Sequence, residues 1–354
     1  MTKQIGNWRD VSLGEICEFK YGKSLPELSR MGGVFPVYGS NGIVGSHNRA
    51  LCSGPAIVIG RKGSFGEVNF SAVPCWAIDT TYYIDQSSTS ADLRWLSYRL
   101  SALGLKELNR AAAVPGLNRE DAYRKRLLLP PLPEQRRIAA ILDKADSLRA
   151  TRREALGKLD SLAQEMFLEM FGDPRKSGLS GKISTQTRRL GELAKICTGK
   201  LDANAADEDG KYPFFTCAVE PLRINTAAYD CKAILVAGNG DLNVKYYEGK
   251  FNAYQRTYVI ESADEEIALP KFLFGFLDIY VSELRKQAIG GVIKYIKLPY
   301  LTEAKVNLPD IEAQQEFARR LQLVQSIHDD LTHSQALLEG LFSVLQHRAF
   351  QGEL

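Results

Sequence analysis

After Pro133, apolar residues recur at every third or fourth position as far as Phe171. This segment contains one glycine, Gly157, and no further proline. This spacing places the apolar residues in a narrow stripe along a helix, as in the seam of a coiled coil. The seam positions are Ile138, Ile141 or Leu142, Ala145, Leu148, Ala155 or Leu156, Leu159, Leu162 and Met166. Charged residues such as Arg152 lie outside this seam. The pattern predicts a helix from Glu134 to Phe171, about 57 Å long at 1.5 Å per residue.

Residues 308–350 repeat this pattern more faintly. Pro130 and Gln135 match Pro309 and Gln314, each 179 positions further along the chain. The second seam consists of Phe317, Leu321, Val324, Ile327, Leu331, Leu338, Phe342 and Leu345, with His328 and Gln335 also at inward positions. Two ordinary core helices are the weaker interpretation, because such helices are far shorter. The repeat predicts two globular halves that alternate with two long helices, which pair antiparallel.

In the first half, short apolar runs separated by glycine-rich turns predict β-strands. The predicted strands cover residues 35–38, 56–59, 67–70, 80–84 and 126–129, and an amphipathic helix lies near 91–103. Ser12 and Glu15 have the spacing of a capping box, which predicts a short helix at this point. The connecting loops include GRKGSFG at 60–66 and AAAVPGLNRED at 111–121.

The second half repeats this order with different loop residues. The segments LGEL (190–193), AILV (233–236) and QRTYVI (255–260) match first-half segments, and residues 271–284 form the matching helix. AGNGD at 237–241 stands in the position of GRKGS at 60–64, and AIGGVIKYIKLP at 288–299 replaces the loop at 111–121. The segment 172–182 is rich in glycine, serine and proline, which is typical of a flexible joint.

These elements predict an α+β fold. Two mixed α/β domains in tandem repeat are joined by two long antiparallel coiled-coil helices, with approximate two-fold symmetry. The predicted boundaries are 1–128 for the first domain, 129–172 for the central helix, 173–307 for the second domain with a linker at 173–187, and 308–354 for the C-terminal helix. A length of 354 residues also exceeds what one hydrophobic core usually organises.

Composition points to an ordinary globular protein, with 45% hydrophobic and 25% charged residues. No apolar run approaches the length needed to cross a bilayer, and the first residues lack the apolar core of a signal peptide. We therefore expect no membrane association and a cytoplasmic location.

The net charge of +3 is unevenly distributed. Lysine and arginine outnumber aspartate and glutamate by 16 to 11 in residues 1–128 and by 19 to 17 in residues 173–307. The helical block 129–172 is neutral, with seven basic and seven acidic residues. The block 308–354 is acidic, with three basic and seven acidic residues. The excess is small, but it favours a polyanion as partner of the globular halves and proteins as partners of the helices.

Metal and cofactor chemistry is not indicated. The six cysteines, at 17, 52, 75, 197, 217 and 231, include no CxxC pair, and we expect them to be buried or idle thiols. The four histidines are too dispersed for a metal site. Gly22, Lys23 and Ser24 resemble the end of a phosphate-binding loop, but Cys17 stands where its first glycine should be. We expect no metal and no cofactor.

The chain resembles the specificity (S) subunit of type I restriction–modification enzymes. The resemblance rests on YGSNGIVG (38–45), AIVIGRKGSFGEV (56–68), CWAIDTTYY (75–83), LPPLPEQRRIAAILDKAD (129–146) and QHRAFQGEL (346–354). It covers essentially the whole chain in the expected order, and the proline-rich helix start is its most specific part. The second-half loops depart most from the family pattern, since AGNGD replaces the usual basic loop between glycines.

The resemblance implies a non-catalytic DNA reader. Each globular half would be a target recognition domain that reads half of a split double-stranded DNA site, and the helices would dock two adenine methyltransferase (M) subunits. Restriction (R) motor-endonuclease subunits can join that core. The sequence is consistent with a non-enzyme, because the string nearest to an amino-methyltransferase loop, Leu129-Pro-Pro-Leu132, lacks a polar residue.

Base reading needs loop side chains with forked donors and acceptors: arginine or lysine for guanine, asparagine or glutamine for adenine. The candidates in the first half are Asn41, Asn48, Arg49, Arg61, Lys62, Ser64 and Arg119. Those in the second half are Asn239, Asn243, Lys245, Gln255, Arg256 and Lys294, with Tyr246 and Tyr254 for packing or stacking. Each could instead be a solvated turn residue or a phosphate contact.

For partner binding we expect exposed apolar side chains on the helices, namely Met170, Phe171, Phe342 and Phe350. Three alternatives remain open at this point. The chain could serve a complex that contains methyltransferases alone, or it could be an adaptor that binds proteins rather than DNA. It could also be an enzyme with an unrecognised site that uses Asp79, Thr80 and Tyr82.

Overall fold

The structure, a computed structural model, describes residues 7–108, 116–176 and 186–354. Contacts divide the chain into two compact units, Met1–Arg152 with Ser334–Leu354, and Arg153–His333. Each unit contains one globular half and one part of each long helix. Two predicted features fall partly outside the described residues: the loop at 111–121, through residues 111–115, and the linker at 173–187, through residues 177–185.

The first unit is built on two small sheets and a two-stranded ribbon. The strands are β1 (Arg9–Ser12), β2 (Lys20–Tyr21), β3 (Phe35–Gly39), β4 (Gly42–His47), β5 (Ala56–Gly60), β6 (Val68–Ser71), β7 (Trp76–Ala77), β8 (Thr81–Asp85) and β9 (Arg126–Leu129). The helices are α1 (Leu93–Ser101), α2 (Arg119–Tyr123) and the first part of α3 (Leu132–Phe171), with short 3-10 turns at Leu13–Glu15, Glu27–Ser29, Gln86–Ser88 and Leu105–Glu107. The strand orders are β2-β8-β5-β6, β4-β3-β7 and β1-β9.

The core of the first unit joins this sheet to the helices. Every residue of β5 is buried, because the strand is apolar on both faces and lies between β6 and β8. Trp95 and Leu96 of α1 pack with Ile138 and Leu142 of α3 in one cluster. The capping box appears as predicted, since the backbone N–H of Ser12 donates to the carboxylate of Glu15.

The second unit repeats the plan with a larger sheet. Its strands are β10 (Gln186–Arg189), β11 (Ala194–Thr198), β12 (Tyr212–Phe215), β13 (Leu222–Ile224), β14 (Tyr229–Ala237), β15 (Val244–Ala253), β16 (Thr257–Ser262) and β17 (Lys305–Leu308). Its helices are α4 (Leu190–Leu193), α5 (Pro270–Gln287), α6 (Leu298–Thr302), the end of α3 and the first part of α7 (Ile311–Phe350), with a 3-10 turn at Ala203–Ala205. The main sheet has the order β11-β16-β14-β15-β12-β13, and β10 pairs with β17 as β1 pairs with β9.

The two long helices have the predicted positions and lengths, with 40 residues each. Within the first unit they run antiparallel, because Arg137 contacts Leu354 while Arg149, further along α3, pairs with Glu339, which comes earlier in α7. Within the second unit, Phe167 of α3 packs against Phe317 of α7 at a centroid distance of 5.4 Å.

The predicted seam is wrong at three positions, Leu148, Leu162 and Ile327, which are exposed. Arg149 and Ala163 are partly buried and take the inward line in place of Leu148 and Leu162, while His328, which the sequence also predicts to face inward, is partly buried beside Ile327. Long side chains can bury their stems while keeping their charges paired. The guanidinium carbon of Arg149 lies 4.1 Å from the ring centroid of Phe342 while the group pairs with Glu339. Apolar periodicity alone could not locate this line because an arginine occupies it.

Of the helices within the described ranges, none is long and apolar enough to cross a membrane.

Candidate nucleic-acid interface

A tight loop follows the buried strand β5. At Gly60 a Cβ atom would lie 2.1 Å from the carbonyl oxygen of Ser64, so the turn has no room for a side chain. The loop closes through two backbone hydrogen bonds, from Gly60 N–H to Glu67 at 2.8 Å and from Gly66 N–H to Gly60 at 2.8 Å. The chain is therefore held in a compact arch, with Lys62 and Ser64 exposed on it.

Neighbouring segments hold this arch from both sides. The backbone N–H of Arg61 donates to the carbonyl of Thr80 at 2.9 Å, and the carbonyl of Arg61 accepts from Leu117 N–H at 2.9 Å. The hydroxyl of Tyr82 donates to the carbonyl of Leu117 at 3.3 Å, and burial raises the pKa of Tyr82 to about 12. The loop after β5 and the segment before α2 thus form one platform.

The second unit has the same platform. Gly238 N–H donates to the carbonyl of Arg256 at 2.8 Å, and the carbonyl of Gly238 accepts from Ile296 N–H at 2.9 Å. The hydroxyl of Tyr258 donates to the carbonyl of Ile296 at 3.2 Å. These three bonds correspond one for one to those of the first unit. The backbone scaffold is repeated while the side chains on it are different.

Two arginines flank an exposed tyrosine on the first platform. The guanidinium carbons of Arg61 and Arg119 lie 5.4 Å and 5.6 Å from the ring centroid of Tyr21, which is 53% exposed. Nη2 of Arg61 also donates to the carbonyl of Asp79 at 2.6 Å. Sequence reasoning found both arginines but missed Tyr21. The available signal was its place in FKYGK at 19–23, next to basic residues and in a short polar strand.

The structure groups some first-half candidates and separates others. Asn41 lies near the platform, because the hydroxyl of its neighbour Ser40 donates to the carbonyl of Thr80 at 2.7 Å. Asn48 and Arg49 are exposed, but they follow the end of β4 that is opposite to Asn41. The six residues of this strand separate them from Asn41 by about 20 Å. These two therefore do not belong to the group around Arg61.

In the second unit, four candidates lie together on the platform. Lys294 accepts a backbone hydrogen bond from Gly240 at 2.9 Å, and Asn239 is bridged to Tyr295. Arg256 is exposed, and its backbone carbonyl accepts the hydrogen bond from the N–H of Gly238. The remaining member is Gln255, which is exposed and lies 3.4 Å from a carboxylate oxygen of Asp202.

Asn243 and Lys245 are engaged inside the domain. Asn243 Nδ2 donates to the carbonyls of Cys217 and Asp241 at 2.8 and 3.0 Å, and its Oδ1 accepts from Lys245. Burial lowers the pKa of Lys245. Both side chains therefore hold the loop 237–243 in shape rather than reaching outward.

The two candidate tyrosines also differ. Tyr246 packs on α5, with its ring centroid 5.9 Å from that of Phe274, and it lines a cavity of about 380 Å³ beside α7. Of the packing and stacking roles expected for Tyr246, the structure shows packing, since β15 presents its ring to the helices. Tyr254 is partly buried, and its N–H donates to the carbonyl of Phe215 at 2.9 Å next to Arg256.

The predicted partner-binding residues are not exposed in the way that the sequence suggested. Phe171 and Phe350 are buried, at 7% and 6% exposure, while Met170 and Phe342 are partly buried. The two buried rings fix the ends of the long helices to the domain cores. In the first unit, the large apolar residues that the described long helices leave exposed are Leu132, Leu148, Leu337, Leu341 and Val344.

All six cysteines are free thiols: Cys17, Cys52 and Cys75 are buried, Cys217 and Cys231 are partly buried, and Cys197 is exposed. Within the described residues there is no group of three His, Cys, Asp or Glu side chains that could hold a metal ion.

Two tandem domains of mixed helix and sheet, each presenting a different set of loop side chains on a repeated platform, define a two-domain recognition protein. A model of the family described as "Type I restriction modification DNA specificity domain" matches residues 5–158 and 183–339. The chain belongs to this family, and the resemblance seen in the sequence is confirmed.

Specificity subunits of named restriction enzymes are among its relatives. That of EcoDI from Escherichia coli is 41% identical over 176 residues, or 49% of this chain and 39% of that protein. That of MjaVIII from Methanocaldococcus jannaschii is 25% identical over 289 residues, 70% of this chain and 67% of that protein. The matched part thus spans about two fifths of the EcoDI subunit.

Solved structures show the same fold. The S subunit of a type I restriction–modification system from M. genitalium superposes with a TM-score of 0.64 at 17% identity, covering 99% of this chain and 98% of that one. A chain from a study of complex assembly and conformational transition of the type I R-M system gives a TM-score of 0.58 at 16% identity, covering 99% of this chain and 100% of that one. The predicted fold class is confirmed.

Proposed function

We propose that this chain is the non-catalytic, sequence-specific DNA-binding subunit of a type I restriction–modification complex. It would read an asymmetric, bipartite target with one domain per half-site. The observation that carries the proposal is the repeated platform, in which Arg61 and Gly238 make equivalent backbone hydrogen bonds. One scaffold with two sets of side chains suits a protein that reads two different short sequences.

The first platform offers mainly cationic groups. Arg61, Lys62 and Arg119 can contact guanine edges or phosphates, and Ser64 adds a hydroxyl. Asn41 brings an amide, the group that pairs with adenine in the major groove. We propose these five as the DNA-binding residues of the first half, with Asn48 and Arg49 as more distant backbone contacts.

The second platform has a different balance. Asn239 and Gln255 carry amides, and Arg256 and Lys294 carry positive charges. This mixture can address both adenine and guanine edges. Asn243, Lys245 and Tyr254 support the loops from within. Because the two sets differ, the two half-sites should differ.

The catalytic steps would belong to partners. We propose that two adenine methyltransferase subunits dock on the long helices and that restriction motor-endonuclease subunits join them. The complex would then act as an adenine-N6 DNA methyltransferase and a type I endonuclease in the cytoplasm. In the first unit a cavity of about 270 Å³ lies between α3 and α7. The exposed Leu148, Leu341 and Val344 line it, so this face offers an apolar surface for a protein.

The alternative functions either fit the structure less well or leave the DNA-reading role unchanged. A catalytic site at Asp79, Thr80 and Tyr82 fits poorly, because Tyr82 is buried and its hydroxyl is bonded to a backbone carbonyl. A protein-only adaptor does not need the paired arginines around Tyr21. A complex with methyltransferases alone would keep the same DNA-reading role.

The deciding experiment is co-expression with a cognate methyltransferase subunit, followed by sequencing of methylated DNA. The expected result is one asymmetric, split motif. Binding of the purified complex to that motif should weaken steeply with salt, as phosphate contacts require. Absence of sequence-selective methylation together with salt-insensitive association would favour the adaptor.

A further inference from the structure

The second platform carries a small hairpin. The backbone groups of Ile289 and Tyr295 exchange two hydrogen bonds, at 3.0 and 2.8 Å, and so close the loop between them. Gly290 has a φ of +120°, and a Cβ there would lie 2.5 Å from the carbonyl oxygen of Ile293. The turn therefore requires glycine at this position. The hairpin is a fixed structure rather than a loose loop.

The tip of this hairpin is apolar and exposed. Val292 is fully exposed and Ile293 is 62% exposed. Both are β-branched, so their side chains have few rotamers to lose on binding. Adjacent exposed apolar side chains rimmed by polar residues mark an interaction site more often than scattered ones do.

The tip belongs to the proposed DNA-reading group. Lys294 follows it directly and is bonded through its backbone to Gly240. Asn239 is bridged to Tyr295, two residues beyond Ile293. A cation, an amide and two apolar side chains are thus held at one edge of the domain. This combination matches an A·T pair in the major groove, where adenine offers its N6 and N7 and thymine its 5-methyl group.

We infer that Val292 and Ile293 contact thymine 5-methyl groups in the half-site that the second domain reads. The inference rests on the proposed function and adds a specificity determinant that carries no charge or hydrogen-bonding group. Selecting loop residues by their hydrogen-bond donors and acceptors leaves these two side chains out. Lys294 would hold the neighbouring phosphate, and Asn239 would address the adenine of the same pair or of the next.

The test removes the methyl group from the DNA. The motif is first found by sequencing methylated DNA, and each thymine of both half-sites is then replaced by deoxyuridine. The wild-type complex should bind about fourfold more weakly when one thymine of the second half-site loses its methyl group, the effect of one buried methyl. A double variant, Val292→Ser with Ile293→Ser, should bind the thymine and uracil duplexes equally.

The control variant is Ile267→Ser, which changes an exposed isoleucine of the same domain, between β16 and α5. It should keep the response to uracil. The double variant should also relax selection at the affected pair while leaving the first half-site unchanged.

Three results would overturn the inference. Equal binding of thymine and uracil duplexes by the wild type would exclude methyl contacts. Unchanged sequence selection by the double variant would show that the tip does not read bases, and loss of methyltransferase binding by that variant would make the tip a protein contact. If the wild-type complex methylates without any sequence preference, the proposed function itself fails, and the inference fails with it.

Discussion

The side chain of Gln135 accepts a hydrogen bond from the backbone N–H of Asp92 at 2.8 Å, which joins the start of α3 to the start of α1. Its Nε2 donates to the carbonyl of Pro130 at 2.8 Å. The second unit repeats this arrangement, because Gln314 accepts from Leu269 N–H at 2.9 Å and donates to Pro309 at 3.0 Å. Each long helix is therefore fixed to its domain by one buried glutamine.

Replacing either glutamine by leucine should destabilise the domain that it joins. Gln135→Leu leaves an N–H and a carbonyl without their partner, and each such buried group costs about 1–3 kcal/mol. We expect a loss of about 2 kcal/mol in the free energy of unfolding for Gln135→Leu and for Gln314→Leu, measured by urea denaturation. Gln315→Leu is the matched control, since Gln315 is exposed on the same helix. A loss as large in the control would show that the helix, not the hydrogen bonds, is affected.

Tyr21 should hold Arg61 and Arg119 in place for DNA. Tyr21→Ala removes the ring that both guanidiniums face, and an exposed cation–π contact is worth about 0.5–1 kcal/mol. DNA affinity should fall about two- to fivefold, measured by fluorescence anisotropy on the methylated motif sequence. Tyr21→Phe keeps the ring and should bind as the wild type does. Equal losses in both variants would instead assign the effect to the hydroxyl.

The role of Arg61 can be separated from that of Lys62. If Arg61 reads guanine, Arg61→Ala should cost about 1–3 kcal/mol and relax one base position. Lys62→Ala should weaken binding to all sequences alike and reduce the slope of log affinity against log salt by about one. Affinities within error of the wild type for both variants would remove this arch from the interface.

The exposed face of the first unit's helices should bind a methyltransferase subunit. Leu341→Asp combined with Val344→Asp places two charges on this apolar surface and should abolish binding of one copy, as measured by light scattering of the complex. Lys144→Asp is the control, because Lys144 is exposed on α3 but does not line the cavity. Full stoichiometry in the double variant would exclude this face as the docking surface.

The sequence predicted long-range organisation well because the repeat is a property of backbone and core. The apolar run at 56–59 predicts the strand that the structure shows as β5, and the matched positions Gln135 and Gln314 have matching roles. It predicted exposure less well. The helical pattern predicts that Phe171 and Phe350 lie on a protein-binding surface, yet they pack into the domain cores. A helical seam gives the direction of a side chain relative to one partner helix, but not the position of the domain beside it.

The loops show the same limit. Choosing residues by hydrogen-bonding capacity selects Arg61 and Asn239, which lie on the platforms, but also Asn243, whose amide is used within the domain. It missed Tyr21 because a tyrosine in a short strand is more often part of a core. Which side chains remain free depends on contacts between segments far apart in the chain, and spacing along the sequence does not encode them locally.

The final prediction concerns the distance between the two half-sites. Helix α3 is continuous from Leu132 to Phe171, beginning in the first unit and ending in the second, and α7 connects the units in the reverse direction. If these helices set the spacer of the DNA target, lengthening both should lengthen the spacer.

Three heptads inserted after Ala150 and three inserted before Ser334 add about 31.5 Å to each helix at 1.5 Å per residue. At about 3.4 Å per base pair this corresponds to roughly nine pairs, close to one turn of DNA. Sequencing of methylated sites should return both original half-sites with a spacer longer by about nine or ten pairs. A single heptad in each helix adds about three pairs, which turns one half-site by roughly 100° around the duplex, so this shorter insert should methylate poorly. An active three-heptad variant with the original spacer would show that the helices do not measure the distance.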